Sequence, residues 1–217
     1  MNRGGEQGAQ HSQALHAWYA HIPGLRVVMP ATPRDARDLL IASVLCDDPV
    51  LYIDDRWLYE LEDDLPPITE LDLTKEGPRV LKQGTDITLV GSSFSTYLCI
   101  QAAQILADQG ISCEVVDLRV INPIDYTEII TSVRKTSKLL VVDGGWSNCD
   151  LAGEIIAGVM ESIQPEDISS SPVRMTLPSA PAPTSKPLEK AYYLQPEDIA
   201  ARVTEIFIKE KNTETRA

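Results

Sequence analysis

The sequence predicts an α/β protein, a doubly wound parallel-sheet domain preceded by the last part of a second α/β unit. Three observations predict it. Several apolar runs of strand length are continuous rather than alternating, Leu139-Leu140-Val141-Val142 being the clearest, as strands covered on both faces must be. Between them lie stretches whose apolar residues recur at helical spacing. Gly, Pro and Ser clusters punctuate the two kinds of segment. Strand and helix alternating in this way require a parallel sheet with right-handed crossovers.

The elements follow in order. Arg26-Val27-Val28-Met29 reads as a strand, and Val50-Leu51-Tyr52-Ile53 as its parallel neighbour. Between them a helix is expected from about Arg34 to Leu45: Pro33 stands where a first-turn proline is tolerated, and Leu39, Leu40 and Val44 fall at helical spacing. One βαβ unit is too small for a domain, so 1–53 reads as the last third of one. Residues 54–76 carry nine acids (Asp54, Asp55, Glu60, Glu62, Asp63, Asp64, Glu70, Asp72, Glu76) against Arg56 and Lys75, a local net charge of −7. With Pro66-Pro67 at its centre the stretch is expected as a solvated acidic linker, or else as a docking surface for a basic partner.

From 77 onward the alternation is more complete. Asp86 to Gly91, Cys113 to Leu118, Lys138 to Asp143 and Val173 to Thr176 are expected strands, the third broken by Gly144-Gly145. Leu98, Ala102, Ile105 and Leu106 mark one helix. Ile129, Ile130 and Val133 mark a second, and Leu151, Ile155, Ile156, Val159 and Ile163 a third. A final helix carrying Ile199, Val203 and Ile206 begins around Pro196, and the charged tail 209–217 is expected to fray. Ser92-Ser93 follows the first of these strands, but without GxGxxG it does not read as a nucleotide-binding turn.

At 217 residues, 43% apolar and 24% charged, the chain can bury a sizeable core. A net charge of −13 argues against nucleic acid and against an anionic membrane surface as partners. No apolar run reaches membrane-spanning length, and no secretory signal is read at the N-terminus. Cys46, Cys99, Cys113 and Cys149 lack metal-type CxxC spacing and are expected as reduced thiols in a cytosol-like compartment.

The N-terminal run Gly4-Gly5-Glu6-Gln7-Gly8-Ala9-Gln10-His11-Ser12-Gln13 is open to two readings. It is a flexible tail with an incidental histidine, or a ligand-facing loop whose glycines permit close backbone approach and whose imidazole moves protons. Either way 4–13 is expected to be mobile. His16 and His21 are expected to be structural, His21 satisfying a backbone group before Ile22-Pro23.

His11-Ser12-Gln13, Ala17 to Leu25, Val28 to Pro33, Asp48-Pro49-Val50, Arg56 to Tyr59, Val116 to Arg119, Pro123, Val142-Asp143 with Gly145-Trp146, and Leu188 to Tyr193 follow one another in the order of a known family. They resemble the beta subunit of the thiamine-diphosphate-dependent decarboxylating component of 2-oxo acid dehydrogenase complexes, of the pyruvate dehydrogenase type, in the transketolase-like superfamily. The resemblance runs from about Gly4 to Ile208, and the motif Ala17 to Gly24 is its most specific part.

The resemblance implies the end of a transketolase-like pyrimidine-binding domain (1–53), the acidic linker (54–76) and a transketolase C-terminal domain (77–217). It implies oxidative decarboxylation of a 2-oxo acid with acyl transfer to lipoamide, in partnership with an alpha subunit that holds thiamine diphosphate and Mg²⁺. Further implied partners are a second beta copy and a dihydrolipoyl acyltransferase core. The compartment is cytoplasmic, or the mitochondrial matrix in a eukaryote. His11 is the implied catalytic residue, with Ser12 and Gln13 supporting it. The glutamate that protonates the cofactor ring in the family stands well upstream of His-Ser-Gln, so no cofactor-binding residue is assigned in this chain, and the chain alone is expected to be inactive. A non-catalytic assembly module is the alternative. Gly144 departs from the acidic residue common in relatives. Cys46-Asp47-Asp48 falls near a K⁺ site of some relatives, but a thiol is a poor ligand for that hard cation, so no metal is assigned.

Overall fold

The computed structural model describes residues 4–214. Their elements run α1 (Gly8–His11), α2 (His16–Ala20), β1 (Arg26–Val28), α3 (Pro33–Leu45), β2 (Val50–Tyr52), β3 (Arg79–Lys82), β4 (Ile87–Gly91), α4 (Phe94–Ala107), β5 (Cys113–Asp117), β6 (Val120–Asn122), α5 (Thr127–Thr136), β7 (Leu139–Trp146), α6 (Leu151–Ser162), β8 (Val173–Leu177), α7 (Lys186–Tyr192) and α8 (Pro196–Glu214). No helix of the described residues is long and apolar enough to cross a membrane.

The larger sheet has the order β3-β5-β4-β7-β8. β4, β5, β7 and β8 are parallel, and β3 closes one edge antiparallel to β5. β4 and β5 are buried along their whole length, and β7 as far as Gly145. Both faces are covered. On one side Leu98, Ala102 and Leu106 of α4 meet Ile199 and Val203 of α8 over Ile87 and Leu89. On the other, Ile129 and Val133 of α5 join Ile155 and Val159 of α6 over Val90, Val116 and Val141. This is the doubly wound arrangement expected from the continuous apolar strands.

A second, three-stranded sheet has the order β2-β1-β6. β1 and β2 are parallel, the expected βαβ unit, and β6 adds antiparallel with Val28 opposite Val120. Thus the second region lends a strand to the sheet of the first. Asn122 Nδ2 donates to the carbonyls of Ile22 and Leu25. Arg119 on the same excursion pairs with Asp35 of α3 at 3.1 Å and with Glu76 at 2.7 Å.

Helix α3 starts where Thr32 Oγ1 accepts the Asp35 N–H at 3.1 Å, an N-cap with Pro33 in the first turn. Its buried apolar residues are Leu39 and Ala42, packed against Val28, Leu73 and Val120. Leu40 and Val44, expected on the same face, point outward, Val44 at 77% exposure.

Four expectations are corrected. The 54–76 stretch is anchored at both ends rather than solvated throughout: Trp57 stacks edge-on against Phe94 (4.8 Å) and Tyr193 (5.0 Å), and Leu73 is buried beside Leu39. Only 62–70 is exposed throughout. β7 runs on to Trp146, which pairs with Leu177 of β8, although its register against β8 shifts between Val142 and Trp146, across Gly144-Gly145. Helix α8 continues to Glu214, past the point where the tail was expected to fray, and 215–217 lie outside the described residues. The loop 4–13 is tied down, as described next.

Candidate functional site

His11 is the last residue of α1, and its imidazole is exposed. The loop that carries it is held against α7 and the residue after it. Gly4 N–H donates to the Tyr193 hydroxyl at 3.2 Å, and Glu6 N–H donates to Glu189 Oε1 at 2.8 Å. Gly8 makes the close pass possible: its φ is +63°, and a Cβ there would lie 2.3 Å from Thr184 Cγ2. The side chains that hold 4–13 lie far along the chain and could not be seen as its partners from the local sequence.

Ser12 and Gln13 follow His11 in the chain. The Ser12 hydroxyl and Gln13 Oε1 are buried without a hydrogen-bond partner among the described residues, which is unusual for buried polar atoms. Gln13 lines a shallow cleft of about 300 Å³ with Trp146, Ser179, Ala180 and Pro181. Trp146 is fixed there by donating Nε1–H to the Ala180 carbonyl and the Tyr192 hydroxyl, both at 2.9 Å. The His-Ser-Gln run therefore reaches the carboxyl end of β7, where doubly wound sheets bind ligands. His11 itself is not in the lining of that cleft.

A second constellation escaped the sequence reading. His16, the first residue of α2, is buried with Nε2 2.9 Å from Asp143 Oδ1 and 3.5 Å from Asp150 Oδ1. Asp143 lies on β7 and accepts N–H groups from Gly145 (3.2 Å) and Ala152 (3.3 Å). Asp150 caps α6 by accepting the Leu151 N–H at 2.9 Å. Burial, and next the neighbouring Asp143 charge, hold the Asp150 carboxyl well above the usual carboxylate range. Two motifs noted singly in the sequence, the Val142-Asp143 strand end and the run before Ala17-Trp18, here become one cluster. Nothing local in sequence joins them.

Asp150 also lines an open cleft of about 910 Å³ between α2 and α6, together with Trp18, His21, Asn122, Tyr126 and Arg174. Trp18 is 70% exposed at its rim. His21, expected to satisfy a backbone group with its ring, instead presents an exposed side chain to this cleft. Elsewhere, Asp117 at the end of β5 is fully buried. Burial pushes its carboxyl up to about 7, although the Thr96 hydroxyl donates to it at 2.8 Å. All four cysteines are free.

A parallel sheet wrapped on both faces, with a glycine-rich His-Ser-Gln loop at the carboxyl end of its strands, fits the transketolase-type class that two domain matches identify. Residues 78–199 match the transketolase C-terminal domain, and 1–60 match the transketolase pyrimidine-binding domain. The chain belongs to this family. Among curated proteins it is similar to the pyruvate dehydrogenase E1 component subunit beta, mitochondrial, of Dictyostelium discoideum, with 39% identity over 91% of this chain and 57% of that protein. The Homo sapiens protein of the same name is 35% identical over 88% of this chain and 54% of its own length. The acetoin:2,6-dichlorophenolindophenol oxidoreductase subunit beta of Bacillus subtilis (strain 168) is 33% identical over 91% and 57%. The chain thus spans somewhat more than half the length of these relatives. Among solved structures, a split-gene transketolase described as an inactive beta4 tetramer shares the fold, with a TM-score of 0.73 and 24% identity over 91% of this chain and 62% of that one.

Proposed function

We propose that this chain serves as the beta-subunit portion of a 2-oxo acid dehydrogenase of the pyruvate type, acting with an alpha subunit in oxidative decarboxylation and in transfer of the acyl group to lipoamide. The observation that carries the reading is the continuous similarity, 33–39% identity over 88–91% of the chain, to beta subunits named for pyruvate and acetoin oxidation. The family's cofactor is thiamine diphosphate, which when bound supplies the electron sink for decarboxylation. The residues here fit one side of such a site. An exposed His11, followed in the chain by two buried polar atoms without partners among the described residues, Ser12 Oγ and Gln13 Oε1, suits a surface completed by another chain. No residue described here is assigned to the diphosphate or to Mg²⁺, and both fall to the alpha subunit in this proposal.

His11 is then the proton-handling group. Imidazole donates or accepts near neutral pH, so it can serve the substrate carbonyl, or give a proton to the sulfur that leaves as the lipoyl disulfide opens and its other sulfur takes the acyl carbon. Ser12 and Gln13, next to it in the chain, are the proposed supporting residues. A second beta copy and the acyltransferase core complete the proposed assembly, in the cytoplasm or the mitochondrial matrix.

A second reading, a non-catalytic assembly module, is favoured by one observation: Trp18, Tyr19 and Ile22 cluster as exposed apolar side chains around α2, as at a surface awaiting a partner. Calorimetric titration separates the two. Thiamine diphosphate with Mg²⁺ is expected to bind the copurified complex of this chain with its cognate alpha subunit and not the chain alone. A complex that forms but binds no cofactor would leave only the assembly reading. Micromolar binding to the chain alone would overturn the division of labour proposed here.

A further inference from the structure

Two aspartates, Asp143 buried and Asp150 half-buried, lie within reach of one buried histidine, a cluster that the proposed catalytic role does not use. Asp143 and Asp150 both face His16 Nε2, and the donor atoms of the three residues lie within 4.8 Å of one another. Two carboxylates packed this closely repel one another when both are ionised. Either a proton stays on the pair or a dication sits among the three groups.

The spacing suits the second answer. Zinc bonds to imidazole nitrogen and carboxylate oxygen at about 2.0–2.2 Å. At ligand–metal–ligand angles between about 90° and 120°, such bonds set neighbouring donors about 2.9–3.6 Å apart. The observed separations from Nε2 are 2.9 and 3.5 Å. The donor set, one imidazole and two carboxylates, suits Zn²⁺ or Mn²⁺ better than the all-oxygen preference of Ca²⁺ or Mg²⁺.

The groups around the cluster hold it as supporting shells hold metal ligands. Asp143 is oriented by the Gly145 and Ala152 N–H groups, and Asp150 by the Leu151 N–H. Gly145 leaves the space that the Asp150 carboxylate occupies, since a Cβ there would lie 1.6 Å from Asp150 Oδ2. Asp150 also borders the 910 Å³ cleft. That gives an ion a path in, and leaves room for water to complete the coordination.

We propose that His16, Asp143 and Asp150 form a binding site for one divalent transition-metal ion of the Zn²⁺ class, which fastens α2 to the carboxyl end of β7 and the start of α6. The site is independent of the catalytic reading of His11. Its residues come from both sequence regions, so the ion would clamp the first region to the second.

The test uses the purified 217-residue chain. It is stripped with chelator, incubated with excess Zn²⁺, desalted and analysed for bound metal, with Co²⁺ as a spectroscopic probe. Wild-type protein is expected to retain one ion per chain and, with Co²⁺, to develop visible d–d bands. His16→Gln and Asp150→Asn should weaken binding by at least the roughly 10–100-fold that loss of even a supporting group costs. His21→Gln and Cys149→Ser, which alter nearby groups outside the cluster, should leave binding unchanged. Wild-type protein that retains no ion would overturn the proposal whatever the variants do. So would retention lost in His21→Gln or Cys149→Ser but kept in His16→Gln. If either cluster variant fails to fold, a Zn²⁺-dependent rise in wild-type melting temperature supports the site, and a melting temperature insensitive to Zn²⁺ overturns it.

Discussion

Replacing Asp117 with asparagine should change how stability depends on pH, and the structure fixes both the sign and the size. The carboxyl is fully buried at the end of β5, and burial pushes it up to about 7 despite the Thr96 hydrogen bond of 2.8 Å. In the unfolded chain an aspartate titrates near 3.9. Between these two values the folded protein keeps a proton that the unfolded chain has released, so stability falls as pH rises through the window from about 4 to about 7. Three pH units at roughly 1.4 kcal/mol each make the full loss about 4 kcal/mol, reached above pH 7. The amide of Asp117→Asn would be neutral throughout and would keep an oxygen for the Thr96 hydroxyl. Its nitrogen, however, would occupy the place of Oδ2, which is buried without a partner, at a pH-independent cost of about 1–3 kcal/mol. Urea unfolding of both proteins at pH 5 and pH 8 checks this. Asp117→Asn should lie within about 1.5 kcal/mol of wild type at pH 5 and be the more stable by about 1–3 kcal/mol at pH 8. Parallel pH profiles for the two proteins would show that Asp117 does not carry the shifted titration.

Other consequences follow from particular contacts. Arg119→Met removes the partner of Asp35 and Glu76. It should cost about 3 kcal/mol in urea unfolding, the low end for breaking a buried pair, since Arg79 still reaches Asp35; an unchanged midpoint would deny that the pair matters. Limited proteolysis should cut first within 62–70, which is exposed throughout, and not before His11, where Gly4 and Glu6 are hydrogen-bonded to Tyr193 and Glu189; a first cut between Gly4 and His11 would contradict this. Light scattering at tens of micromolar should give a dimer mass, because Leu40, Val44 and Leu45 leave an apolar face of α3 exposed. Val44→Asp should shift that equilibrium toward monomer, and a wild-type monomer at that concentration would refute the expectation.

What could be read from sequence was what is local. Leu139 to Val142 announce a strand covered on both faces, and the pattern over 98–106 announces α4, because burial stamps its period on adjacent residues. β6 was invisible: three residues following Arg119 carry no period, and the strand exists because β1, far upstream, needs a second neighbour. Gly144-Gly145 read as a stop because glycine weakens strands, yet β8 holds β7 together beyond it. The inward turn of Leu39 and the outward turn of Leu40 and Val44 depended on Leu73 and Val120 arriving from the far side of the acidic stretch. In the candidate site, His11 was singled out by its glycine-rich setting and by the family resemblance. His16 was not, since Asp143 and Asp150, which give it meaning, come from β7 and from the N-cap of α6.

The most direct test of the proposed function is the turnover of a 2-oxo acid, coupled to an electron-accepting dye, by a reconstituted full-length enzyme whose beta subunit carries this chain together with the upstream glutamate that the family resemblance implies. Wild-type complex should turn over pyruvate. His11→Ala should assemble equally well but turn over roughly two to four orders of magnitude more slowly, the span expected for losing a general acid–base group. A complex that assembles yet turns over no 2-oxo acid, or one whose rate ignores the loss of His11, would contradict the catalytic account and leave the chain as an assembly module.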